Sequence, residues 1–197
     1  MTARLDRIRG RRELLLTSRE APGTFKQSWE QWNEHHARWG HASAEDVSRM
    51  EESWGIGLPA GYRRFVTEIA DGGMGPGCGM FGVHEASADA LEWTGDVSVP
   101  FVFGNDDAES VLERRAADGK HHVLYSPNRD GLPHGSLLLA HTGCGCFDIL
   151  VVNGEQRDSV WFFDTQQLCP LGEVGKPLRF LDWYESWVDG WLRSFGK

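Results

Sequence analysis

The sequence is poor in the residues that staple or anchor a chain. Its four cysteines, Cys78, Cys144, Cys146 and Cys169, are too few and too scattered in 197 residues for a disulfide framework, and they read as reduced thiols. No apolar stretch approaches the ~18 residues of a membrane span, so no membrane association is expected. Basic charge is in deficit. With 20 Lys and Arg against 29 Asp and Glu, the formal net charge is −9. Such a chain repels phosphate backbones on average, which argues against nucleic acid as a partner and for a basic one. Residues 1–10 hold Arg4, Arg7 and Arg9 but lead into no apolar stretch of an export signal, so a cytoplasmic location is expected. No internal repeat is visible.

Catalytic signatures are missing too. There is no G-x-S-x-G elbow for a nucleophilic serine. The stretch Gly73-Met74-Gly75-Pro76-Gly77-Cys78-Gly79 lacks the Lys-Ser/Thr of a phosphate loop and precedes an apolar run instead of opening a helix. It reads as a turn needing positive φ at several positions. His141, Cys144 and Cys146 lie close in sequence, but strand alternation works against their convergence and no paired C-x-x-C is present. A tight glycine turn with small thiols is the expectation there, with no metal. The cluster Asp106, Asp107 and Glu109 lacks the spacing of a calcium loop and reads as an acidic turn, suited to electrostatic docking of a basic partner. No enzyme activity and no cofactor are therefore expected.

What the chain does have is aromatic bulk and helical periodicity. Nine tryptophans and a hydrophobic fraction of 40% point to a well-filled core or an aromatic interface. The first twenty residues carry six Arg against Asp6, Glu13 and Glu20, and the lead ends at Ala21-Pro22-Gly23. It reads as a basic, partly helical, solvated extension over 1–24, followed by one domain over 25–197. From Phe25 to Trp39, one narrow face collects Phe25, Trp29, Trp32, His36 and Trp39, which predicts a helix. A second helix is predicted over 44–54, capped by Ser43 and stopped by Gly55. A third, over 60–70, buries Tyr62, Phe65, Val66 and Ile69.

Strands are predicted at 80–83, 97–103 and 123–125, and most clearly at 136–141, 146–152 and 159–163. The last three are joined by glycine turns into an antiparallel meander. A final amphipathic helix over 178–195 gathers Phe180, Trp183, Tyr184, Trp187, Val188, Trp191 and Leu192 on one half. Helices, then a sheet, then a closing helix make an α+β fold, with an antiparallel sheet flanked by helices.

One local pattern has a known counterpart. Glu51-Glu52-Ser53-Trp54-Gly55-Ile56-Gly57-Leu58-Pro59-Ala60-Gly61-Tyr62-Arg63-Arg64-Phe65, followed by Ala70-Asp71-Gly72-Gly73, resembles the opening of the SUKH superfamily, the SMI/KNR-type domain. That opening runs G-I-x-L-P-x-x-Y-R-x-F and ends in an N-G-G-like turn, where this chain has Asp71. The tail residues Gly143-Cys144-Gly145-Cys146-Phe147, Leu150 to Gly154, Val160-Trp161 and Phe180 to Trp187 are similar to bacterial members. The resemblance covers about residues 43 to 195 and implies an α+β domain. For bacterial members it implies immunity proteins that bind and neutralise toxins, many of them nucleases. Fungal members regulate cell-wall signalling through protein contacts.

The motif residues themselves read as structural. The better contact residues are exposed acids in the middle of the chain, Asp106, Asp107 and Glu109, with Asp71 and Asp130 behind them. The expected partner is a protein, a basic toxin. Two alternatives stay open: a regulatory scaffold with another protein partner, and a metal-dependent enzyme built on His141, Cys144 and Cys146.

Overall fold

The computed structural model describes residues 1–17, 40–86, 95–103, 132–164, 168–173 and 176–196. The predicted helix over 25–39, the acidic turn at 105–109 and the predicted strand at 123–125 lie outside the described residues.

Helix α1 spans Thr2–Thr17 and is rich in Arg and Leu, which lose little side-chain freedom in a helix. Helix α2, Ala44–Trp54, starts where the Ser43 hydroxyl accepts from the Asp46 N–H at 3.0 Å. It ends at Gly55, whose φ of 67° lets its N–H reach back to Glu51 and Glu52. Helix α3, Ala60–Glu68, is entered through Pro59 and buries Tyr62, Phe65 and Val66. A single turn, α4, follows at Val83–Ala86. Strands β1 (Ser136–Gly143), β2 (Cys146–Val151), β3 (Val160–Phe163) and β4 (Leu168–Pro170) form an antiparallel sheet in that order. Two short strands, β5 (Gly172–Glu173) and β6 (Lys176–Pro177), make a hairpin ahead of helix α5, Phe180–Ser194.

The β1–β2 turn places Cys144 and Gly145 at φ of 52° and 77°. Two successive positive values are the hairpin geometry that matches strand twist. Alternation then sorts the sheet into two faces. Leu137, Leu139, Leu150 and Val160 pack with the helices, sharing a core with Tyr62, Phe65, Phe180, Tyr184 and Val188. Leu138, Phe147, Ile149, Val151, Trp161 and Phe163 form a second core with Phe101, Leu132 and Leu168. The helix-side core is aromatic at its centre. Phe180 meets Tyr62 and Phe65 edge-on at 4.9 and 5.2 Å, and Phe65 meets Tyr184 at 4.5 Å. The fold is α+β, as the order of helices and strands predicts.

Three expectations need correction. Within the described residues 1–17, the basic lead is not a solvated extension. Leu5, Ile8 and Leu15 of α1 are buried in the helix-side core, because they share one side of the helix, together with the buried Arg12, while Arg4, Arg7 and Arg11 flank it. The run 80–83 is no strand: Met80 makes isolated bridges to Gly73 and Ala140, and Val83 opens α4. The run 97–103 makes one bridge, Phe101 to Gly154. Pro100 has no N–H to give a ladder, and the Val99 N–H turns back to Asp96. No helix among the described residues is long and apolar enough to cross a membrane.

Candidate functional site

The family-like motif is held by partly buried polar contacts. The Glu51 carboxylate accepts from the Leu58 N–H at 2.7 Å and from Arg63 Nε at 3.1 Å, while Arg63 Nη2 donates to the Ser48 hydroxyl. The Gly-Ile-Gly-Leu-Pro turn is thus clamped between α2 and α3. Arg157, from the β2–β3 connection, donates to the Gly57 carbonyl at 2.8 Å and ties the turn to the sheet. These residues position the scaffold, as the sequence reading holds.

The glycine-rich stretch is consumed by the sheet edge. The Cys78 N–H donates to His141 and the Phe81 N–H to Leu139, so the stretch covers the outer edge of β1. Gly73 and Met80 bond each other through both N–H groups. A Cβ on Gly77, where φ is +63°, would lie 2.5 Å from the His141 carbonyl oxygen. Those backbone donors serve the fold and do not form an anion cradle.

Asp71 is buried, not a surface contact residue. It directly follows the end of the α3 region, and its Oδ1 accepts from the Val83 N–H at 2.6 Å at the start of α4. Its own N–H donates to Gly40. A capping carboxylate locked at that depth cannot meet a partner. Asp106, Asp107, Glu109 and Asp130 lie outside the described residues.

The candidate metal residues do not gather. Cys144 is exposed at the hairpin tip, and the His141 ring packs edge-on against Phe147 at 5.0 Å. Burial pushes the Cys146 thiol up, with Asp164 adding to the effect, which disfavours the thiolate that a metal needs. Among the described residues, no group of three or more His, Cys, Asp or Glu side chains is placed to hold a metal ion.

Two polar features escaped the sequence reading. The first is an ion-pair ladder between α1 and α5. Arg4 binds Asp182 and Glu185 at 2.5 and 2.9 Å, Arg7 binds Glu185 at 2.6 Å, and Arg11 binds Asp189 and Glu185 at 2.5 and 3.5 Å. The arginines sit at i, i+3 and i+7 on one helix and the acids at i, i+3 and i+7 on the other, so each set forms one stripe. Arg7 above all, with Arg4, holds the Glu185 carboxyl below its ordinary range, against a burial effect in the other direction. That matched spacing was the signal available in the sequence. The second feature is Asp148 on β2, buried on the helix side of the sheet. Its Oδ2 accepts from Trp183 Nε1 at 3.0 Å, and burial pushes its pKa up to about 6.

The geometry is that of a packed scaffold with charged surfaces. No curated protein and no solved structure matches the chain. The model of the SMI1 / KNR4 family (SUKH-1) matches residues 41–183, from the residue beside the Ser43 cap to the Trp183 that binds Asp148, and the chain belongs to that family.

Proposed function

We propose that the chain is a non-catalytic protein-binding domain that works in the cytoplasm as an immunity protein, holding and neutralising a basic toxin. The observation that carries this reading is membership of the SMI1 / KNR4 family across residues 41–183. A formal net charge of −9 supports it, because an acidic surface attracts a basic macromolecule over long range. The packing supports it as well: the residues of the family-like motif are spent on holding the turn and core together. In this reading the toxin meets acids of the middle of the chain, with Asp106, Asp107 and Glu109 first and Asp130 behind them, and is inhibited by having its active site or substrate path covered.

The test is co-purification of the full chain from its source cell, followed by identification of what is bound and an assay of the bound protein's toxicity with and without this chain. A basic protein whose toxic activity disappears on binding is the expected outcome. A bound protein whose activity is unchanged would replace the toxin reading with a scaffold role. Stoichiometric metal in the purified chain would reopen an enzymatic reading at His141, Cys144 and Cys146.

A further inference from the structure

The α1–α5 ladder combines two kinds of contact. On the buried side, Leu5, Ile8 and Leu15 fill the groove beside α5 and join the core that holds Phe180, Tyr184 and Val188, with the buried Arg12 between Ile8 and Leu15. On the polar side, Arg4, Arg7 and Arg11 grip Asp182, Glu185 and Asp189. The groove therefore selects a helix with apolar residues on one side and cations at i, i+3 and i+7 beside them. Nothing in those contacts requires the helix to be covalently part of this chain. Of the six charged residues, Asp182 alone falls inside the family match, so α1 and most of the acids it grips lie beyond the matched region. Most of the charged side chains are only partly covered. Arg7 is 49% exposed and Asp182 45%, which leaves those pairs open to salt and to competing cations.

We infer that the groove along α5, lined by Asp182, Glu185 and Asp189, is a docking site for a basic amphipathic helix of the protein partner, occupied in the free chain by α1. The inference rests on the reading of a basic partner and adds where that partner docks. Displacement is a competition. The incoming helix refills the apolar groove and remakes the ion pairs, so it must overcome the advantage that tethering gives α1. Contacts elsewhere on the partner supply that advantage. The energetic obstacle is the exposure of Leu5, Ile8 and Leu15 when α1 leaves, and it makes the exchange dependent on the partner instead of spontaneous.

The experiment uses the full chain carrying Arg4→Glu, Arg7→Glu and Arg11→Glu, which sets like charges against the α5 acids and leaves the apolar residues in place. The probe is a labelled peptide of residues 1–17. The variant is expected to keep its circular dichroism and tryptophan emission and to bind the peptide. Affinity should fall at least about tenfold from low to high salt, and similarly when Arg4, Arg7 and Arg11 of the peptide become glutamine. The wild-type chain, with its groove filled, should bind the peptide at least about tenfold more weakly than the variant does. Loss of fold in the variant would overturn the inference, because α1 would then be an inseparable part of the core. So would a folded variant that does not bind the peptide, or that binds it equally when Arg4, Arg7 and Arg11 are replaced. In the wild-type chain, hydrogen exchange gives a second readout. Amides of α1 should exchange faster than those of α3 and accelerate with salt, and exchange at the rate of α3 at every salt concentration would also overturn it. None of these outcomes depends on whether the natural partner is a toxin, which co-purification decides.

Discussion

Asp148 is the residue at which this fold works against its own electrostatics. A carboxylate on the inner face of the sheet has one indole N–H as its recorded donor, and burial raises its pKa to about 6. A carboxyl raised in the folded state is favoured when protonated. Its contribution to stability is therefore complete below the unfolded value, near ~4, and is lost as the pH rises through about 6. Asp148→Asn keeps an acceptor for Trp183 and removes the buried charge. It is expected to stabilise the protein at pH about 7.5 by ~1–3 kcal/mol and to have little effect near pH ~4, measured by denaturant unfolding at both. A gain of equal size at both pH values would exclude the charge as its cause. Two tyrosines make a paired contrast. Both are fully buried, but Tyr184 donates to the Met74 carbonyl at 2.9 Å, whereas the Tyr62 hydroxyl has no partner among the described residues. Tyr184→Phe strands a buried acceptor and is expected to cost ~1–2 kcal/mol. Tyr62→Phe removes an unsatisfied group and is expected to be neutral or stabilising by up to ~1 kcal/mol. Equal losses in the two variants, by the same unfolding measurement, would show that Tyr62 is satisfied too.

At the scale of elements, α5 carries the largest single share of the helix-side core. Phe180, Leu181, Trp183, Tyr184, Val188 and Leu192 are all buried. At roughly 1.5–3 kcal/mol for each large side chain, the loss of this set equals or exceeds the ~5–15 kcal/mol by which ordinary domains are stable. Truncation after Leu178 is therefore expected to abolish soluble expression, and a dispersed truncated protein with native-like circular dichroism would contradict the packing. This helix was legible in the sequence because its information is local. A half-apolar wheel needs no knowledge of what it covers, and the same holds for α2 with Ser43 and Gly55 at its ends and for the β1–β2–β3 meander with its glycine turns. What was not legible depends on distant partners. Arg4, Arg7 and Arg11 of the N-terminal lead look solvated until α5 is placed beside them, since Arg4 and Asp182 are separated by 178 positions. Asp71 looks like an exposed acid until Val83 is seen to donate to it. The glycine stretch reads correctly as a turn, but its task, covering the edge of β1, appears only once Leu139 and His141 lie next to it. Strands β4, β5 and β6 are three, two and two residues long, too short for any periodicity to register.

At the scale of the whole molecule, charge is unevenly spent. Three cations of α1, Arg4, Arg7 and Arg11, are engaged by α5, so the attraction that a formal charge of −9 exerts on a distant partner comes mainly from the other acids. Long-range attraction acts mainly on the rate of encounter, and short-range packing acts mainly on the rate of departure. If Asp106 and Asp107 face the partner, reversing both to lysine removes attraction early in the approach and adds repulsion. The association rate with the co-purified basic protein is then expected to fall by about tenfold at low salt, with a flatter dependence on ionic strength and a dissociation rate changed far less. Surface plasmon resonance at several salt concentrations separates the two rates. A variant that associates at the wild-type rate with the wild-type salt dependence would remove that pair from the interface. Because Asp182, Glu185 and Asp189 remain intact in it, combining the reversal with substitutions at those acids separates the steering by unpaired charge from the short-range docking expected at the α5 groove, which acts on the dissociation rate.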